Sequence, residues 1–139
     1  MARKPIEEHI RRKAQVPNGS LLLRGSPLTL EQVVHDAART ARRFTFDDFP
    51  CHGISVELAV DNDDVDRLLR EGRVRTREFV ARIPTADVTR DGFIVLPTFA
   101  APHQTVVALR APGASFDRML ELALRDVIRN GYRQPWKEG

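Results

Sequence analysis

The chain has 139 residues, 42% of them hydrophobic, with 22 basic residues against 19 acidic and a single cysteine. That length fits one domain able to bury roughly two thirds of the surface its unfolded form exposes, and a net charge of +3 is too small to demand a polyanionic partner. One cysteine, Cys51, excludes an internal disulfide and cannot hold a structural zinc by itself, and no run of 18 apolar residues exists to form a membrane-spanning helix.

Nineteen of the 22 basic residues are arginine, the side chain that forks onto phosphates and carboxylates. Arginine preference also follows from GC-rich coding, so a nucleotide or nucleic-acid partner reached through arginines is permitted and not required. The N-terminal stretch is basic but lacks the apolar core of a secretory signal. A soluble, cytoplasmic protein with no membrane contact is expected.

In chain order, residues 1–19 read as a basic appendage: a short helix over Ile6 to Ala14, broken by Pro17-Asn18-Gly19. It offers few apolar groups, so it is expected to be removable and to serve an acidic partner. Residues 20–131 read as one α+β domain and 132–139 as a tail carrying Pro135 and Trp136. Within the domain, Ser20 to Arg24 is a buried strand. Thr29 as N-cap with Gln32 three residues on starts a helix from about Leu30 to Arg43. Its apolar face is Leu30, Val33, Val34, Ala37, Ala38 and Ala41.

Phe44 to Pro50 is an aromatic loop expected to cap the core. Gly53 to Val60 alternates, placing Ile54, Val56, Leu58 and Val60 on one buried face and Ser55, Glu57 and Ala59 on the other. Asp61 to Asp64 caps a helix that runs to Glu71 and closes at Gly72. Glu78 to Ile83 is a strand, Pro84 to Asp87 opens one helical turn, and Gly92 ends it.

The stretch from Gly92 to Leu109 is two apolar runs hinged by Pro-Thr and Pro-His. It predicts two adjacent strands at the centre of the sheet, with Val95, Leu96, Val106 and Leu109 as core. A long helix then carries Phe116 through Ile128 and stops at Gly131. The sum is a mixed sheet of about five strands with three main helices, mostly on one face.

Polar residues gather at the predicted strand ends: Arg24, Cys51, His52, Ser55, Glu78, Thr98 and His103. His103 with Thr105 two residues on resembles half of a two-histidine phosphoesterase, in which a histidine and a following hydroxyl contact phosphate. One neutral imidazole would serve there as base and a second as acid. His52 is not the second copy, because Ser55 falls three residues after it and the strand turns it to the other face.

Leu22-Leu23-Arg24-Gly25-Ser26 resembles the first strand of ADP-ribosyltransferases. That resemblance implies Arg24 on the pyrophosphate of NAD, with Ser55 and Glu78 completing the site. NAD is the one cofactor implied, and only under this resemblance; no metal is expected. The chain departs from that family in lacking a Glu-x-Glu pair and a Thr-Ser beside Ser55.

A broader pattern spans about residues 21 to 128: Arg24-Gly25, then Gly53-Ile-Ser-Val56, then Gly92, Thr98 and Pro102-His103. It resembles a family of short bacterial proteins of no settled activity, which implies a fold unit more than a function. Gln104-Thr105 stands where that family more often has Tyr-Asp.

Three classes of function remain open. One is a small toxin-like effector enzyme acting on a nucleotide or RNA, with His103, Ser55 and Glu78 as catalytic candidates and Arg24 and Thr105 as phosphate-binding ones. Another is a partner-binding module such as an antitoxin or adaptor. The third is a structural protomer, associating with a protein partner or with further copies of itself. For the first class, Arg24 and His103 are expected to line one pocket beside Ser55.

Overall fold

The computed structural model describes residues 2–10, 17–74, 78–108 and 112–132. Its elements are β1 (Lys4–Pro5), a 3-10 turn (Ile6–His9), β2 (Leu21–Gly25), α1 (Leu30–Arg43), β3 (Phe44–Phe46), β4 (Phe49–Pro50) and β5 (Gly53–Ala59). There follow α2 (Asn62–Arg70), β6 (Phe79–Pro84), α3 (Thr85–Arg90), β7 (Ile94–Leu96), β8 (His103–Val107), α4 (Pro112–Leu124) and β9 (Val127–Arg129). The fold is α+β.

One sheet has six strands in the order β7-β8-β5-β2-β6-β9, rather than about five, and each of its pairings is antiparallel. A second sheet, β1-β3-β4, supplies the mixed pairing: β1 runs parallel to β3, and β4 antiparallel. Strand alternation divides the large sheet into two covered faces. On one, Leu22, Ile54, Val56, Ile83 and Val106 pack with Val33 and Ala37 of α1, Val88 of α3 and Phe116, Met119 and Leu122 of α4. On the other, α2 covers Leu23, Ala59 and Val80 through Val65, Leu68 and Leu69. The small sheet and the N-terminal segment cover Leu96 and Val107 beside it.

Local chemistry fixes the helices. Thr29 Oγ1 accepts from Gln32 N at 3.3 Å, and Asp61 Oδ1 accepts from Asp64 N at 2.8 Å, so both caps act as their residue types dictate. Along α1 the buried stripe is Val33, Ala37 and Ala41, whereas Leu30 and Val34 face solvent. Gly92, at φ +89°, takes the left-handed conformation that ends α3.

Four expectations are corrected. The hairpin β7-β8 is not central: β7 is the sheet edge and β5 and β2 occupy the middle. Its apolarity arises from cover on both faces, by the α4 side and by the N-terminal segment. The last helix stops at Leu124, and Val127–Arg129 becomes β9 on the β6 edge. Branched Val127 and Ile128 suit a strand, and Arg82 holds the connection by bonding both carboxylate oxygens of Asp126, at 3.1 and 3.0 Å.

The aromatic loop is a hairpin, β3-β4, turned by Asp47 and Asp48 in left-handed conformations. Finally, residues 4–10 are not an appendage. Ile6 is fully buried with Phe44, Cys51, Leu96 and Val107. Arg3 Nε donates to Ala41 O at 2.7 Å, Phe99 N donates to His9 O at 2.9 Å, and Ile10 bridges to Thr98. One well-placed isoleucine and backbone pairing anchor a segment whose composition is otherwise polar. The rest of the expected N-terminal helix, Leu109, and the tail with Pro135 and Trp136 lie outside the described residues.

Candidate functional site

The site begins where β2 leaves β5. The two strands pair from Leu21↔Ala59 to Leu23↔Glu57 and no further, while β2 stays on β6 as far as Gly25↔Val80. The backbone of Ser55 is thereby left without a strand partner on that side, and α1 supplies one. Asp36 Oδ2 accepts from Ser55 N at 3.0 Å, and Arg24 Nη1 donates to Ser55 O at 2.9 Å and to Asp36 Oδ2 at 2.7 Å. An ion pair 13% and 9% exposed thus replaces the missing ladder bonds and satisfies the Ser55 N–H and C=O, which would be costly to bury bare.

Beyond this plug a cavity of about 70 Å³ opens, lined by Ile6, Arg39, Thr40, Arg43, Phe44, Ser55, Phe99 and Thr105. One water needs ~10–15 Å³ by the same measure, so a phosphate-sized group fits. Arg39, Thr40 and Arg43 reach it together because residues three and four apart share one helix face. Arg39 Nη2 also bonds Asp36 Oδ1 at 3.3 Å, and the Arg43 guanidinium stacks 5.4 Å from the Phe44 ring centre. Gly53 makes room for Thr105: a Cβ there would meet Thr105 Cγ2 at 2.5 Å, so the bare glycine lets the Thr105 methyl lie against β5.

From Thr105 a chain of polar contacts leads away from the cavity. Its Oγ1 lies 2.6 Å from Thr98 Oγ1, which lies 3.2 Å from His103 Nδ1. Nδ1 is also 3.3 Å from Thr98 O. A carbonyl only accepts, so that contact is a hydrogen bond in the tautomer whose proton sits on Nδ1. In that tautomer Thr98 accepts from His103 and donates to Thr105, whose own hydroxyl hydrogen can point into the cavity. Thr98 and Thr105 are both buried, where a hydrogen-bond chain is strengthened by the low local dielectric.

Phe99 closes one wall. It holds φ +58°, a conformation that an aromatic residue adopts only when its surroundings impose it. Its ring packs 5.2 Å from His103, 5.2 Å from His9 and 5.9 Å from Phe44.

The residues singled out from sequence are therefore distributed as follows. Ser55 and Thr105 line the cavity, and His103 adjoins it through two hydroxyls. Arg24 is not brought together with His103: register places Arg24 with Ala81 on the α1/α4 face, and His103 with Glu57 on the opposite face. Glu78 is exposed just before β6, beside Ser26, whose N–H donates to Phe79 O at 2.8 Å; β2 separates it from the cavity. Cys51 is buried, and burial followed by the nearby Glu7 carboxylate pushes its thiol up to about 12, so it is no nucleophile at neutral pH.

Arg39, Thr40, Arg43 and Phe99 escaped the sequence reading. The arginines fall on what reads as the solvent face of α1, and nothing local in Pro97-Thr98-Phe99 announces a wall residue. A spacing of four between Arg39 and Arg43 with Thr40 between them was the available signal. Comparison with family models, with curated proteins and with solved structures finds no match to the chain.

Proposed function

We propose that the cavity binds the phosphate group of a nucleotide-type ligand and that the protein is an effector enzyme of the phosphoesterase kind. The observation that carries this reading is the lining itself: two arginines from one helix face together with Ser55 and Thr105 from the sheet. Arginine forks match phosphate oxygens, hydroxyls donate to the remaining ones, and Phe99 offers a flat apolar wall to a sugar or base. His103 is a positioning residue of the proposal: its Nδ1 orients the Thr98 hydroxyl, which in turn orients that of Thr105, and it never touches the ligand directly.

The ADP-ribosyltransferase-like alternative is less well supported. Its arginine, Arg24, is committed to Asp36 and to the Ser55 carbonyl, and its glutamate, Glu78, stands across β2. A partner-binding module would use the same cavity without turnover, and the test separates the two.

Uridine monophosphate titrated calorimetrically should bind the parent protein and lose at least tenfold in affinity in Arg39→Ala or Arg43→Ala. Hydrolysis of a generic phosphodiester or phosphomonoester should fall in Thr105→Val while phosphate binding falls much less. Binding without turnover in the parent would favour the module. No binding at all would reject the site.

A further inference from the structure

The cations of the cavity do not stop at its rim. Arg42 follows Arg39 by three positions on α1, so it is the next cation along that helix surface. Arg3 is bonded to the same turn through Ala41 O at 2.7 Å, and Lys4 pairs with Phe44 where α1 passes into β3. Arg3, Lys4, Arg39, Arg42 and Arg43 are all exposed. They form a basic strip from the cavity mouth onto the small sheet. On that sheet, Phe49 of β4 stands 71% exposed, on a strand two places from Lys4.

From this juxtaposition we infer that the ligand is a single-stranded polynucleotide, held by one phosphate in the cavity and by neighbouring phosphates along the strip, with a base stacked on Phe49. The inference rests on the phosphate reading above and adds the class of ligand. Rows of cations beside an exposed ring are the physical requirements of single-strand binding: charge follows the backbone, and any base can stack on an aromatic face. A continuous anionic lipid surface fits less well. It would meet Phe49 together with the exposed carboxylates of Asp47 and Asp48 at the hairpin turn, whereas a strand can pass beside them. Duplex is disfavoured because a lone flat ring gains nothing from paired, stacked bases.

The test compares three probes on the full chain: decauridylate, uridine monophosphate and phosphatidylglycerol vesicles, by anisotropy, calorimetry and co-sedimentation at 50 to 200 mM salt. Decauridylate should bind at least tenfold tighter than the mononucleotide. Its log affinity should fall with log salt, and the slope should flatten by ~0.7 for each cation removed in Arg42→Ala and Lys4→Ala. Phe49→Ala should weaken decauridylate several-fold and leave the mononucleotide unchanged. These positions are exposed, and thermal melting of each variant confirms that its fold is retained.

Equal affinity for decauridylate and mononucleotide would overturn the strip while leaving the cavity reading intact. Vesicle binding without oligonucleotide binding would overturn the polynucleotide assignment. Failure of every probe, the mononucleotide included, would overturn both readings together.

Discussion

Asp36 is the residue on which the site's geometry turns. Its carboxylate accepts from Arg24, from Arg39 and from the Ser55 backbone, and it does so nearly buried. Asp36→Ala should destabilise the fold by about 3 kcal/mol, because it strands the Arg24 charge and the Ser55 N–H in a dry environment. Asp36→Asn keeps an acceptor for Ser55 and loses the charge, so it should cost less. Urea denaturation of the two variants checks the order; equal, small losses would mean that the plug is not what holds β5 where β2 departs.

Cys51 supplies a pH signature at the same scale. Its folded value near 12 lies above the ordinary 9.0. Below pH 9 both states keep the proton, so the preference for the buried thiol is fully present there. Between roughly 9 and 12 the unfolded thiol ionises while the buried one does not. The unfolded state then binds fewer protons, and stability falls as pH rises. Denaturation midpoints of the parent should decline more steeply across that window than those of Cys51→Ala, and iodoacetamide at pH 8 should label Cys51 only after unfolding.

Among elements, the N-terminal segment carries the clearest test. Ile6 sits at 0% exposure between the small sheet and β7-β8, so Ile6→Ala should cost about 2–4 kcal/mol. Deleting residues 1–10 should also expose Phe44 and Phe99 and reduce binding at the cavity that Ile6 lines. A truncated protein that melts with the parent would restore the appendage reading.

The elements also show what sequence made legible. α1 spans Leu30–Arg43 as its cap and periodicity indicate, because capping and amphipathicity are both local. β9 was hidden because Val127 and Ile128 continue the helical spacing of α4; only the open edge of β6 decides against the helix. The N-terminal docking was hidden for a similar reason. Its affinity resides in backbone pairing with β3 and Thr98 and in a single side chain, neither of which composition reveals.

At the scale of the whole molecule, a six-stranded antiparallel sheet covered on both faces has little reason to open. Yet β2 and β5 part after Leu23, and a polar plug and a cavity occupy the space beside the gap. Ser55, Thr105 and His103 could be named from sequence as polar residues at strand ends; alternation puts His103 and Thr105 on one face, and the β5–β8 register sets Ser55 opposite Thr105. Arg24 was misplaced relative to His103 by that same alternation, and the cavity's arginines came from a helix whose crossing of the sheet no local pattern specifies. Gly53→Ala bears on this assembly as a unit: the new methyl would collide with Thr105, so phosphate affinity should drop together with a loss of stability of about 1–3 kcal/mol.

The most direct test of the phosphate site is an amide NMR titration of the isotope-labelled protein with uridine monophosphate. The account predicts saturable shifts concentrated at Thr40, Ser55, Phe99 and Thr105, which line one cavity, and abolished by Arg39→Ala combined with Arg43→Ala. Shifts that cluster instead around Gly25, Ser26 and Glu78, across β2, or that persist in the double variant, would contradict it.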